Sequence, residues 1–332
     1  MVGENMVEKK FKTLDEQVEI FRSKHMTINN EKYAKSVLLR ENYFFLSGYR
    51  HLFLNKDKTY KDGTTIEELY SLFLFDRTFR NICFKNLLII ENNLKSIMSY
   101  QLSKKYGYKE KEYLKPKNFS NRPEKQRQIN DLLKKMKRQI RINSSQHTAT
   151  QHYADNYGYI PLWILVKVLS FGIVSEMYTI LKEDDQRAIS AIYEIEPDVL
   201  STYLPILANY RNLCAHEDIL YENKTQKVIN DTVYHQLLNI PKEDGEYIYG
   251  KNDVFALLII MKQLLDKDKF SSLVIEVENA IQTLAYNLRT ISIKSVLKRM
   301  GFPINWKELK NIERSKDKDC LLYTSPSPRD RG

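Results

Sequence analysis

One proline-free stretch, from about Thr64 to Lys105, constrains the fold of this chain more than any other feature. Its large apolar residues recur three and four positions apart, which is the spacing of a helix that buries one face rather than the alternation of a strand. They are Leu69, Leu72, Phe73, Phe79, Phe84, Leu87, Leu88, Leu94 and Ile97. The turn signal Asp62-Gly63 and a threonine cap, Thr64 or Thr65, precede them. The stretch therefore predicts one very long helix, or two helices joined by a bend.

The remainder of the chain also favours helices. Only ten of the 332 residues are glycine, and Leu, Ile, Lys and Glu are abundant, which is typical of helical rather than sheet-rich proteins. The hydrophobic fraction of 42% and the charged fraction of 28% are those of an ordinary globular protein. We therefore predict an all-α bundle with the long helix at its centre, formed as a single domain by residues 1–319.

Shorter segments give local expectations. Thr13 and Glu16 form a capping box at the start of the first helix. The polar run Asn143–His152 predicts a mobile loop, and Gln226–Leu238 predicts a helix. Gly301 is expected to end the last short helix of the bundle.

The positive charge of the chain is concentrated in one segment. The formal net charge is +10, and residues 104–141 contain fourteen Lys or Arg against four acidic residues, so the rest of the chain is balanced. Such a surplus indicates contact with a phosphate backbone. We predict that residues 104–141 form a basic insertion, which consists of a loop followed by a helix from Pro123 to Arg141. The predicted contacts are Lys104, Lys105, Lys115, Lys117, Arg122, Arg127, Lys134, Lys135, Lys137, Arg138 and Arg141. The alternative is a solvated basic linker.

A second candidate site lies on an apolar helical stretch, Leu204–Tyr221. Asn212 and His216 are four residues apart and share one side of a helix, whereas Arg211 projects about 140° away from His216. A guanidinium, an amide and an imidazole on one helix end can flank a phosphodiester. The alternative is structural, because an Arg or a His near a helix C-terminus also interacts favourably with the helix dipole.

The sequence lacks the motifs that mark several classes of protein. It contains no Gly-rich phosphate loop, no HExxH and no paired CxxC, so we expect no cofactor and no metal. Its three cysteines lie far apart, which argues against a disulfide framework, and no apolar run is long enough to span a membrane. Because the N-terminus also lacks an export signal, the expected location is the cytoplasm.

Five segments follow one another in the sequence: ENYFFLSGYRHLF (Glu41–Phe53), LFDRTFR with the Glu91 that follows it, PLWILVKVLSFG (Pro161–Gly172), RNLCAH (211–216) and GFPINW (Gly301–Trp306). In this order they resemble the abortive-infection (Abi) family, in particular its AbiD/AbiF-like branch. RNLCAH is similar to the Arg-Asn-x-x-x-His signature of HEPN-type ribonucleases. The resemblance covers most of the stretch from Thr13 to Trp306 and implies a HEPN-like helical bundle.

The resemblance also implies a function, that of a metal-independent endoribonuclease toxin of bacterial phage defence. In such an enzyme the RNA 2′-hydroxyl attacks the adjacent phosphate. His216 would act as acid or base, Arg211 would stabilise the phosphorane, and Asn212 would orient the imidazole or bind the phosphate. Supporting roles would fall to Asp76, Arg77, Arg80 and Glu91, while the basic segment would bind the RNA. A homodimer with a composite site is implied as well, and by analogy a structured small RNA as a restraining partner.

Two other functions remain open on the sequence. The protein could be a non-catalytic RNA-binding module in which Arg211 and His216 only hold phosphate. It could also be an antitoxin-like interaction protein or helical scaffold that buries the motif. The first alternative predicts RNA affinity without cleavage, and the second predicts no RNA affinity at moderate salt.

The last residues of the sequence are expected to take no part in fold or function. Residues 320–332 begin with CLLYTSPSPRD, which resembles the translation of a sequencing adapter rather than natural protein. We therefore predict a disordered, non-native tail after residue 319.

Overall fold

The computed structural model describes residues 10–314, which form helices joined by short connections and confirm the all-α class. The α-helices in this range are α1 (Leu14–Ser23), α2 (Glu31–Glu41), α3 (Tyr43–Ser47), α4 (Ile66–Tyr106), α5 (Glu110–Tyr113), α6 (Gln126–Asn143), α7 (Thr148–Tyr157), α8 (Leu162–Val168), α9 (Phe171–Thr179), α10 (Glu183–Ser190), α11 (Pro197–Ala215), α12 (Val233–Leu237), α13 (Val254–Leu264), α14 (Lys267–Asn287) and α15 (Ile293–Met300). Short 3₁₀ helices cover Gly48–Phe53, Pro116–Asn118, Pro123–Lys125, Ala191–Tyr193 and Trp306–Asn311. Two short strands, β1 (Lys242–Glu243) and β2 (Glu246–Tyr247), pair in an antiparallel hairpin. The predicted tail, 320–332, lies outside the described residues.

The long helix α4 is continuous over 41 residues, which confirms the prediction made from the apolar spacing. Thr65 caps it, since the Thr65 Oγ1 accepts a hydrogen bond from the N–H of Glu68 at 3.2 Å. Most of its large apolar side chains are at least partly buried, from Leu69 near the start to Leu102 near the end, although Leu74 is 40% exposed. The chain divides into two compact units, and the division between Phe79 and Arg80 falls within this helix.

The first unit consists of the residues up to Phe79 together with Val277–Arg299. Its N-terminal helix opens with the predicted capping box, in which Glu16 N–H donates to the Thr13 Oγ1 and Thr13 N–H donates to the Glu16 carboxylate. Within this unit the buried Glu68 carboxylate accepts hydrogen bonds from the backbone N–H groups of Arg289 and Thr290, each at 2.7 Å. These bonds fix the connection between α14 and α15 against the start of α4.

The second unit, Arg80–Glu276 with the residues from Met300 onward, contains α11 and the basic segment. Helix α11 packs against α9, α10 and α13 and buries most of its apolar side chains. Pro205 lies inside α11 without ending it, although proline removes one backbone hydrogen bond from a helix. Gly301, at φ +77°, follows α15 as predicted. None of the helices within residues 10–314 is both long and apolar enough to cross a lipid bilayer.

The expectation of a mobile loop over Asn143–His152 is wrong. Helix α6 continues to Asn143, and α7 begins at Thr148. The buried Thr150 explains the difference, because its hydroxyl donates to the carbonyl of His147 at 2.8 Å and also to the carbonyl of Asn143. A polar run therefore folds into a tight helix-to-helix connection, since its side chains satisfy the backbone groups at the turn.

The expected helix over Gln226–Leu238 is largely wrong as well. Only its end is helical, as α12, and the preceding residues run alongside the segment before α13. The N–H of Thr225 donates to Asn252 O at 2.7 Å, and the N–H of Ile229 donates to Lys251 O at 2.9 Å. These non-local hydrogen bonds replace the intrahelical ones that the sequence pattern had suggested.

Candidate functional site

The candidate site begins at the C-terminal end of α11, where His216 is the cap residue. The chain leaves the helix by a Schellman turn, because Glu217 N–H donates to Cys214 O and Asp218 N–H donates to Leu213 O. Glu217 takes the left-handed position of this turn, at φ +59°, where glycine is the usual residue. The turn fixes the direction in which the chain departs, and it leaves the His216 side chain exposed.

Arg211, one turn before the helix end, is held by a buried carboxylate. Its Nε donates to the Glu91 Oε2 at 3.2 Å, and its guanidinium carbon lies 5.8 Å from the ring centroid of Phe84. The other oxygen of Glu91, Oε1, accepts from Lys95 Nζ at 2.6 Å. Glu91 is only 3% exposed and Lys95 only 8% exposed. One carboxylate thus joins two cations, which leaves the group with a surplus of one positive charge.

Arg80 supports the chain that follows the helix. It is 2% exposed, and its Nη1 donates to the backbone carbonyl of Asp218 at 3.4 Å. Asp218 lies two residues after His216, so this contact fixes the Schellman turn from the direction of α4. Two of the four residues predicted to support the motif therefore lie beside it. Glu91 contacts Arg211 of the motif, and Arg80 contacts Asp218, which follows the motif.

The polar ends of the three motif side chains are available to a ligand. Arg211 is partly exposed, and both Asn212 and His216 are exposed. Among the described residues, none forms a hydrogen bond with the Arg211 Nη atoms, the Asn212 amide or the His216 ring. Anchoring Arg211 through Nε leaves the outer edge of its guanidinium free for two parallel hydrogen bonds to an anion.

Asp76 and Arg77, the other two predicted supporting residues, each bind a residue of the first unit. The hydroxyl of Tyr49, a residue only 2% exposed, donates to the Asp76 Oδ2 at 2.7 Å. Arg77 donates through both Nη atoms to the Glu41 carboxylate, at 3.1 and 2.6 Å, and this holds the pKa of Glu41 below its usual value. These contacts order α2 and the 3₁₀ helix Gly48–Phe53 against the first part of α4.

All eleven predicted phosphate contacts in the basic segment are exposed. Helix α6 buries its apolar side and presents its Lys and Arg residues to solvent, as the amphipathic pattern requires. Four of the eleven approach an acidic residue, and the ion pairs are Lys105–Asp185, Arg122–Glu183, Lys134–Asp131 and Lys135–Glu176. The other seven form no ion pair with any residue in the range 10–314: Lys104, Lys115, Lys117, Arg127, Lys137, Arg138 and Arg141.

Sequence reasoning missed Lys95. Its charge is buried beside the motif, yet it lies outside every segment that suggested a site. The available signal was its position four residues after Glu91, since an acidic residue and a lysine at that spacing on a helix form a pair. The described cysteines, Cys83 and Cys214, are buried, and residues 10–314 contain no group of three or more His, Cys, Asp or Glu that could hold a metal ion.

Comparison with known protein families gives a match. The model of a family described as Abi-like protein matches residues 36–222, which is more than half of the 332-residue chain. The matched region includes the motif end of α11, Glu91 and the whole basic segment. No curated protein and no solved structure matches the chain.

Proposed function

Because this chain belongs to the Abi-like protein family, we propose that it is an endoribonuclease of bacterial phage defence that acts in abortive infection without a metal. The observation that carries the proposal is the arrangement at the end of α11. The Arg211 Nη atoms, the Asn212 amide and the His216 ring have no hydrogen-bond partner among residues 10–314, and a buried carboxylate anchors Arg211 through its Nε. This is the arrangement expected of side chains that must hold a phosphodiester and move a proton.

RNA carries its own nucleophile, and this determines what the protein must supply. A base removes the proton of the 2′-hydroxyl, the O2′–P bond forms, and the P–O5′ bond breaks. The leaving 5′-oxygen takes a proton from an acid, so the products are a 2′,3′-cyclic phosphate and a 5′-hydroxyl. His216 serves as the base or the acid, while Arg211 stabilises the charge on the phosphorane. Asn212, one turn before His216, orients the imidazole or binds a phosphate oxygen.

A single copy of the motif supplies one imidazole, whereas the reaction needs both a base and an acid. A homodimer that brings two α11 ends to one strand would supply both, together with a second arginine. This composite site is part of the proposal; the family resemblance implies it, and the need for both a base and an acid agrees with it. It predicts that a catalytically inactive variant mixed with wild-type protein forms heterodimers of reduced activity.

The basic segment would hold the RNA strand. Seven of its predicted contacts have no acidic partner among the described residues, and each can contact a phosphate. Binding through several such contacts releases counterions, so RNA affinity should fall steeply with salt. The same surface would accept a structured small RNA as a restraining partner, as the family resemblance suggests.

The test is cleavage of total RNA by purified protein in the presence of EDTA, with the new ends mapped. We expect His216→Ala to lower the cleavage rate by a factor of about 10²–10⁴ while RNA affinity changes little. His25→Asn is the matched control, because His25 is an exposed histidine of the first unit at φ +68°, a conformation that asparagine tolerates. Undiminished cleavage by the EDTA-treated His216→Ala protein would refute the catalytic assignment.

A second candidate function, that of a non-catalytic RNA-binding module, also has support from the structure. The seven exposed cations of the basic segment that have no acidic partner within residues 10–314 favour RNA binding whether or not cleavage follows. This alternative predicts salt-dependent RNA affinity, no new RNA ends, and equal behaviour of the wild-type and His216→Ala proteins. An antitoxin-like scaffold would instead show no RNA affinity at moderate salt in a filter-binding assay.

A further inference from the structure

A group of aromatic side chains forms a continuous surface within the second unit, and neither the motif nor the basic residues account for it. We call this group the aromatic platform, and its members are Tyr108, Tyr153, Tyr157, Tyr159 and Trp163. Ring centroids of neighbouring members are 5.2 Å apart for Tyr153–Tyr157, 6.3 Å for Tyr157–Tyr159, 5.6 Å for Tyr159–Tyr108 and 6.0 Å for Tyr108–Trp163. His152 adds a sixth ring, 5.9 Å from Tyr157.

The fold brings these rings together from separate elements. Tyr153 and Tyr157 lie four residues apart on α7, Trp163 lies on α8, and the other two lie in the connections that precede α5 and α8. Helix α7 replaces the loop that the polar sequence of this region had suggested. Without that helix, the rings on α7 would not share one side.

The platform is open to solvent. Tyr157 is 55% exposed, Trp163 is 42% exposed and Tyr108 is 41% exposed. Trp306, which is the other tryptophan of the chain, is by contrast only 3% exposed. Aromatic side chains collected in one exposed group mark an interaction surface more often than scattered ones do.

The charge beside the platform is positive. Lys109 Nζ lies 5.1 Å from the ring centroid of Tyr159 and 5.8 Å from that of Tyr108. The two acidic residues nearest in sequence are held by backbone N–H groups rather than by the Lys109 ammonium, since the Glu110 carboxylate accepts from Ile160 N–H and the Glu112 carboxylate accepts from Lys109 N–H. Lys109 and Tyr108 also belong to residues 104–141, the segment that carries the excess positive charge of the chain. The partner of this surface should therefore combine flat apolar groups with negative charge.

We propose that the aromatic platform binds single-stranded RNA by stacking unpaired bases on its exposed rings, with Lys109 and the adjacent basic segment contacting the phosphates. Aromatic rings accept any base on their faces, whereas the bases of a duplex already stack on one another and are inaccessible. The platform would thus select unpaired strands, a preference that the cations alone cannot provide. This inference concerns binding and does not depend on cleavage by the motif of α11.

The experiment measures tryptophan fluorescence during titration with a short single-stranded deoxythymidine oligonucleotide. DNA lacks the 2′-hydroxyl, so the proposed cleavage cannot interfere. We expect quenching, because Trp163 is exposed, and we expect Trp163→Phe to abolish it, because Trp306 is buried. The same oligonucleotide in a duplex with its complement should bind more weakly at equal salt.

Two substitutions of Tyr157 separate stacking from apolar contact. Tyr157→Leu keeps an apolar side chain without a ring and should weaken binding of the single strand on the order of tenfold, whereas Tyr157→Phe should bind like wild type. Tyr286→Leu is the matched control, since Tyr286 is 78% exposed and lies in the first unit.

Each of three results would overturn the inference. They are equal binding by the Leu and Phe variants, equal affinity for single strand and duplex, and an unchanged fluorescence signal throughout the titration. The last is the result expected if the surface binds another protein. None of them bears on whether His216 is needed for RNA cleavage, so the two proposals fail separately.

Discussion

The substitution Glu91→Gln tests whether a buried carboxylate both stabilises the second unit and positions Arg211. Glutamine has the shape of glutamate and keeps one acceptor oxygen, so the change removes the negative charge and little else. Lys95, whose side chain is 9% exposed, then has a buried ammonium without a counter-charge. Breaking a buried pair by removing one partner costs about 3–5 kcal/mol. Because one acceptor remains, we expect a loss near the lower end, about 3 kcal/mol.

Urea unfolding followed by tryptophan fluorescence measures this loss, since both tryptophans, Trp163 and Trp306, lie in the second unit. Glu276→Gln is the matched control. It removes the partner of Lys85 from an ion pair of 2.7 Å whose side chains are 55% and 39% exposed, and an exposed pair contributes about 1 kcal/mol or less.

The double variant Glu91→Gln/Lys95→Met separates stability from positioning. Removing both charges should restore most of the lost stability, because no unpaired buried charge remains. RNA cleavage should stay low in the double variant, since Arg211 still lacks the carboxylate that accepts its Nε–H. If Glu91→Gln shifts the urea midpoint no more than Glu276→Gln does, the account of this site as a buried charge group is wrong.

Two further predictions concern stability. Glu217→Gly should raise the midpoint of thermal unfolding, with a gain of about 1 kcal/mol, because glycine takes the left-handed position of the Schellman turn without strain; an unchanged or lowered midpoint would contradict this. Burial raises the pKa of Asp253 from 3.8 to about 6, even though the N–H groups of Gly250 and Ala256 donate to its carboxylate. Because the folded pKa lies above the unfolded one, the wild type should lose about 3 kcal/mol of stability in all as the pH rises from well below the unfolded pKa to well above the folded one, and about 2 kcal/mol of this between about pH 4 and about pH 6. The Asp253→Asn variant should not show this loss of stability, and urea unfolding of both proteins across that pH range checks it. Burial lowers the pKa of His235, so His235 makes the folded state more stable as the pH rises, but it does so equally in both proteins.

The long helix and the caps could be predicted from the sequence because their causes are local. The apolar spacing that begins at Leu69 requires only the geometry of a helix, and the capping box of Thr13 and Glu16 requires only four consecutive residues. The failures share a different cause. The segment around Ile229 bonds with residues more than twenty positions away, and Thr150 folds a polar run by satisfying carbonyl groups, so composition alone was misleading in both.

The candidate site could be predicted in part. Arg211, Asn212 and His216 were found because they are adjacent in one helix, and Glu91 was found through the family resemblance. Their mutual contact could not be derived from the chain, since Arg211 and Glu91 are 120 residues apart in sequence. The aromatic platform was missed for the same reason, because five rings spread over residues 108–163 become neighbours only after α7 and α8 have packed.

Helix α11 carries the motif at one end and forms part of the hydrophobic interior along the rest of its length. Tyr210, next to Arg211, is fully buried, as are Leu204 and Leu207. A segment embedded in this way cannot melt by itself, so its amide protons should exchange with solvent only when the whole second unit opens. We therefore do not expect local unfolding of α11 to inactivate the motif. For the proposed ribonuclease we therefore expect restraint by a second molecule that covers the exposed helix end.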